Sequence, residues 1–322
     1  MSRFEEELEV AAPPALASDL RGSGISPGRI RGPSWHRVRN GLYVPAPEPT
    51  DSTAQRILNA AALLPPGSVI AGWAAAYVCG VDWLDGKGLT GDHAEPVDVL
   101  TSAKRRSHDL LRYHFTIGPI SSRVRHGIPV TPPLSTAVDG ARWATTVEDA
   151  VVFLDAMLHF RQVSLRALRE RLTSLRAVHG LEQARAALDL ARTNVWSPRE
   201  SRLRYCYEVE AGLPPPLLNV RVFDDDGILI GHPDLFDPDA ALATEFDGAQ
   251  HRDREQHRKD NIREERFESV GVTVVRSDSL DLRPHHRRQL IRRMQDGHRR
   301  GLNRNRTHDR WLLDPRAWPE TT

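Results

Sequence analysis

Lysine is nearly missing from this chain. Of 44 lysine and arginine residues only Lys87, Lys104 and Lys259 are lysine. The basic charge is therefore carried by planar guanidinium groups, which suit two-pronged contacts to phosphate. A GC-rich genome accounts for the arginine total, so only local clusters are read as functional. Cysteine is equally scarce: Cys79 and Cys206 have no partner motif. That excludes a disulfide framework and zinc-ligand spacing, and points to buried free thiols in a reducing compartment. No apolar run is long enough to span a bilayer. The opening Met1 to Glu7 is acidic and lacks the apolar centre of a signal peptide. A cytoplasmic protein without a membrane partner is expected. Net charge is almost absent too, at +1, but it is unevenly placed.

What is present is enough chain for two domains, each with its own core. Residues 1–15 are expected to be loose. Next comes a short helical segment from Leu16, then Trp35 to Val44, a hairpin signal with Asn40-Gly41 as a type I′ turn and basic residues beside it. Thr53–Leu64 and Val69–Val81 read as helices. Pro96–Leu100 and Leu110–Ile117 read as strands, and Thr136–Phe160 as helical, followed by helices from Ser164 and across Gly180–Ala191. A second domain is expected from Thr193. It opens with a helix capped by Ser197-Pro198, then a strand over Leu217–Phe223 and a turn at Asp224–Gly227.

The most informative stretch follows. Ile228–Phe236 reads as a strand running into a Pro-Asp turn, and Leu242–Phe246 as its partner. Side chains alternate along a strand, so Glu245 and Asp247 share one face and Thr244 and Phe246 the other. Pairing around the turn brings Asp234 to the same end. Turn chemistry and a solvated strand face are the plain readings of these acids. Acids set among apolar strand residues suit a cleft better. Carboxylates this close raise one another's proton affinity unless a cation intervenes. Magnesium or manganese fits, taking oxygen ligands from Asp234, Glu245 and Asp247 while leaving positions open for phosphate.

Pro233-Asp234, with Glu245-Phe246-Asp247 eleven residues on and then Gly248, Gln250 and His251, resembles the PD-(D/E)XK nuclease core. More narrowly it resembles very-short-patch-repair endonucleases and their uncharacterised actinobacterial relatives. The resemblance covers roughly the last 130 residues. It implies a restriction-endonuclease-like α/β domain with a central mixed sheet. In that fold a helix supplies one acid, a hairpin the metal-binding acids, and a later helix and strand close the sheet. The matching positions are Glu200, Asp234, Glu245, Asp247 and His251. The usual lysine of acid-x-lysine is replaced by Asp247. Either Gln250, His251 or Lys259 substitutes for it, or the site is weakened. The basic hairpin near the start resembles the opening of AbiEi-type antitoxin domains, where a winged-helix unit binds DNA.

These readings divide the chain into an antitoxin-like winged-helix and helical region over 16–192, a nuclease-like domain over 193–282, and a basic helix and tail over 283–322. The overall class is α/β (α+β). Arg283–Arg310 carries ten arginines and four histidines against Asp296 and Asp309, a surplus that favours a polyanion. Expected nucleic-acid contacts are Arg37 and Arg39 in the hairpin, Lys259 and Arg263 on the helix after the acids, and Arg287, Arg288, Arg292 and Arg293 in the tail. On that helix His257, Asp260 and Arg263 are expected to face the cleft. For Arg204 and Glu208 a helix ion pair is the preferred reading. The expected activity is metal-dependent hydrolysis of DNA, with RNA as an alternative substrate and a homodimer as an open state. The rival is a non-catalytic DNA-binding regulator on a degenerate nuclease fold, and a third reading is a protein–protein adaptor.

Overall fold

The computed structural model describes residues 1–46, 51–87, 94–247 and 254–314, without the side chains of residues 254–257, 259 and 260. The protein is a mixed α/β chain with open sheets, in two units, Met1–Asp189 and Leu190–Thr322. Among the described residues no helix is long and apolar enough to cross a membrane.

The first unit starts with a helix, Arg3–Val10, rather than the loose segment expected of residues 1–15. Ser2 caps it and Glu5 returns the hydrogen bond in a capping box. Phe4 is fully buried against the edge of Tyr77, whose hydroxyl donates to Glu7. The acidic opening is thus one face of a packed helix. The hairpin pairs Trp35–Arg39 with Leu42–Pro45, and Ala15–Leu16 adds a third strand. Its turn is not type I′: Gly41 has positive φ but Asn40 does not, and the I′ form needs both. Helices Ala17–Gly22 and Pro27–Ile30 close over this sheet through Leu20, Ile30 and Tyr43.

The larger sheet of this unit runs Leu111–Phe115, Val97–Thr101, Val69–Ile70, Ile128–Val130, Arg123–Arg125. The expected helix over Val69–Val81 is shorter. Val69 and Ile70, a β-branched pair, join the sheet, and the helix begins only at Gly72. Gly72 has φ +54 and lies against the Asp98 carboxylate, so no side chain fits there. The expected helical run over Thr136–Phe160 is two helices, Pro133–Trp143 and Val147–His159. Thr146 starts the second by accepting from the Asp149 amide.

The second unit is built on a four-stranded mixed sheet. Its order is Thr273–Ser277, Leu242–Phe246, Leu235–Asp237, Leu217–Leu218. The first pair is parallel and the others antiparallel. Alternation along Leu242–Phe246 sends Leu242 to one core, with Leu203, Leu290 and Met294, and Ala243 to the other, with Phe236 and Phe267. Helices Pro198–Tyr205 and Pro284–Leu302 therefore cover one face and Arg254–Ser269 the other. A second sheet orders Leu229–Gly231, Val222–Asp224 and Trp311–Leu313.

Two expected strands are each divided. Ile228–Phe236 breaks at His232-Pro233, so Leu229–Gly231 joins the small sheet and Leu235–Asp237 the large one. Proline has no N–H for a ladder, which favours a break there. Leu217–Phe223 breaks at Asn219, which takes φ +52. The Asp224–Gly227 turn is a hairpin turn, with Asp224 Oδ1 accepting from the Ile228 amide.

The basic segment from Arg283 is a layer of this unit. Leu290, Met294, Gly297 and Gly301 of its helix are buried. Gly301 passes so close that a β-carbon would overlap the Ala240 carbonyl oxygen. Both partners are backbone, so relief requires moving the helix. Gly301→Ala is expected to lower stability by about 3 kcal/mol, read as a drop in urea midpoint; an unchanged midpoint would show that the helix shifts freely.

Candidate active site

The hairpin register puts Leu235 opposite Thr244. Asp234 therefore stands at the open end beside Glu245 and Phe246. Its Oδ2 accepts from the Phe246 amide at 2.6 Å, and its carbonyl accepts from the Asn219 amide at 3.2 Å. Glu245, in the middle of the sheet, is buried to 7 % exposure. Its Oε2 accepts from Arg263 Nη2 at 2.9 Å.

Glu200 comes from the helix on the opposite face. Ser197 caps that helix through the Glu200 amide, and Glu200 Oε2 turns back to accept from the Trp196 amide at 2.8 Å. The same oxygen accepts from Asn219 Nδ2 at 3.0 Å. Asn219 thus ties the helix acid to the backbone of the hairpin acid. It does so from the left-handed conformation, which asparagine tolerates better than most residues.

Glu200 and Glu245 act on Asp234. Asp234's proton affinity is pushed up to about 7, first by burial. The Phe246 amide opposes this, the charges of Glu200 and Glu245 add to it, and Arg263 opposes it more weakly. The site therefore holds an acid that keeps its proton to neutral pH beside two further carboxylates and one fixed guanidinium.

Among the described residues no three His, Cys, Asp or Glu side chains converge as a ready metal-ligating group. The expected trio of Asp234, Glu245 and Asp247 is not assembled. The Asp247 amide donates to the Ser277 carbonyl at 2.6 Å, extending the parallel ladder one residue past the strand. The donor chemistry still suits a small hard cation. All the acids offer oxygen, Asp234 is destabilised by burial and by like charge, and magnesium is commonly held by one or two carboxylates plus water. Asp234 and Glu245 are the residues that would hold it. Gln250 and His251 lie outside the described residues, as do the side chains of His257, Lys259 and Asp260.

The expected nucleic-acid contacts separate into two groups. Arg37, Arg288 and Arg292 are exposed, the last two one helical turn apart. The other four arginines have internal partners, and the side chain of Lys259 lies outside the described residues. Arg39 lies 2.8 Å from the His108 ring. Arg263 holds Glu245. Arg287 pairs with Glu210 at 2.6 Å, and Arg293 with Asp281 and the Arg276 carbonyl. Each of these four guanidinium groups is engaged within the protein, and those of Arg39, Arg263 and Arg293 are also partly exposed. Arg204 is buried against Glu208, as the helix spacing predicts.

Two features escaped the sequence. Asn219 gave no local signal beyond an asparagine inside a strand-like run. Asp237, read as a turn residue, is a buried hub. It accepts from the Asp239 and Ala240 amides and the Tyr207 hydroxyl, with His298 Nε2 3.2 Å away. It holds the turn that sets the hairpin register.

No protein-family model, curated protein or solved structure matches this chain.

Proposed function

We propose that the second unit is a metal-dependent phosphodiester hydrolase acting on DNA. The observation that carries this reading is the half-buried Asp234, its proton affinity raised beside Glu245 and Glu200 at the end of a hairpin in a mixed sheet. The order of helix, hairpin, helix and parallel strand agrees with what the PD-(D/E)XK resemblance implies. A bound divalent ion would lower the proton affinity of a water and neutralise charge on the scissile phosphate. Asp234 and Glu245 would hold that ion. Arg263 pairs with Glu245 and supplies the positive charge that Asp247, in place of the usual lysine, does not. Glu200 and Asn219 hold the hairpin acid in position. The exposed Arg288 and Arg292 add backbone contacts.

In the first unit, the Trp35–Pro45 hairpin, packed on two short helices and displaying Arg37, supports a DNA-binding, winged-helix-like role. Calorimetry with magnesium in the presence of a DNA oligonucleotide tests the metal site. The wild-type chain is expected to bind, and Asp234→Asn/Glu245→Gln to lose binding. Equal binding by both proteins would sink the assignment.

The second reading, a DNA-binding regulator without chemistry, is favoured by one observation: Glu245 is already neutralised by Arg263. It requires metal-independent gel shifts and no nicking with magnesium or manganese.

A further inference from the structure

Trp196 is the one aromatic ring among the exposed large apolar side chains described in the second unit. It is 52 % exposed, yet its amide is fixed on Glu200 Oε2, one of the three site carboxylates. A large indole left in water costs hydrophobic free energy that burial would recover. Its ring lies 6.1 Å from that of His232, inclined at 44°, and His232 stands two residues before Asp234. Glu200 Oε2, which holds the Trp196 amide, also accepts from Asn219 Nδ2 at 3.0 Å, so the start of the Pro198–Tyr205 helix is anchored on the carboxylate site.

We propose that Trp196, with the His232 ring beside it, is a stacking platform for an unpaired nucleobase, so that the strand engaged here is single-stranded at that position. This rests on the hydrolase reading above and names the form of its substrate. An exposed indole offers a π-face to any base. A base inside an intact duplex is already stacked on its neighbours and must leave the helix to reach it. The arginines, by contrast, meet backbone phosphate in either form. Single-strand preference is therefore a property of Trp196, and overall affinity is a property of the basic residues.

The test is fluorescence anisotropy at one fixed salt concentration in EDTA. The probes are a labelled DNA single strand of about 16 nucleotides, at the upper end of single-strand site sizes, and the corresponding perfect duplex. The wild-type chain is expected to prefer the single strand. Trp196→Ala should weaken single-strand binding about tenfold, the worth of one stacked base, and leave duplex binding unchanged. Trp196→Phe should keep most of the preference. Equal loss on both probes, no loss on the single strand, or no binding of either probe by the wild type overturns the proposal. Cleavage is measured separately with magnesium. Nicking that Trp196→Ala leaves untouched sinks the platform and spares the hydrolase. Tryptophan-dependent binding without any nicking does the reverse.

Discussion

Replacing Asp234 with asparagine is expected to abolish metal-dependent cleavage while making the protein more stable above neutral pH. Loss of one of two metal-holding carboxylates should lower the rate by at least about a thousandfold. The stability change follows from the raised proton affinity. Below the ordinary value of 3.8 the acid is protonated in both folded and unfolded chains, so it contributes no pH dependence. Between 3.8 and about 7 the unfolded chain releases the proton while the folded chain retains it, so stability falls as pH rises. The full difference is on the order of 4 kcal/mol. Asparagine resembles the protonated acid and still accepts from the Phe246 amide through Oδ1. Melting temperatures in EDTA should therefore coincide near pH 4 and diverge up to pH 8, with the variant higher. Added magnesium should raise the wild type and not the variant. A variant less stable than wild type at pH 8 would mean that the carboxylate is a structural ion pair, and the site assignment would lose its support.

Arg204→Met is expected to be the most destabilising single change in the second unit. Arg204 is 1 % exposed, donates to the Leu190 carbonyl at 2.7 Å and lies 3.2 Å from Glu208. Removing it leaves Glu208, whose side chain is 6 % exposed, with the longer contact to Arg192 at 3.4 Å. Breaking a buried pair from one side costs about 3–5 kcal/mol, because the remaining charge is uncompensated, whereas replacing both partners is often near neutral. Arg204→Met/Glu208→Leu should therefore recover much of the loss. The urea midpoints of the two variants decide the matter: a double variant no better than the single one would show that Arg204 acts through the Leu190 carbonyl rather than through Glu208.

Much of the hairpin was legible in advance. Alternation along Leu242–Phe246 places Glu245 on one face because successive strand side chains point to opposite sides, a purely local rule. Ser197-Pro198 marks a helix start for a similarly local reason. The break at Asn219 was not legible, since it arises from hydrogen bonds to Asn194, Glu200 and Asp234 together. The arginine-rich C-terminal segment has internal roles that its composition does not record. Its surplus reads as a surface for a polyanion, yet Arg287 spans 77 positions to reach Glu210, and Arg304 closes on Asp309. Arg288 and Arg292 stay exposed because Leu290 and Met294 turn the other side of that helix into the core. The sequence by itself determined which residues carry charge and which side of a strand or helix they occupy, since both follow from backbone periodicity. Only the tertiary structure decided which arginine meets which acid and where each strand ends. Those outcomes depend on packing between segments far apart in the chain, and no local pattern records it.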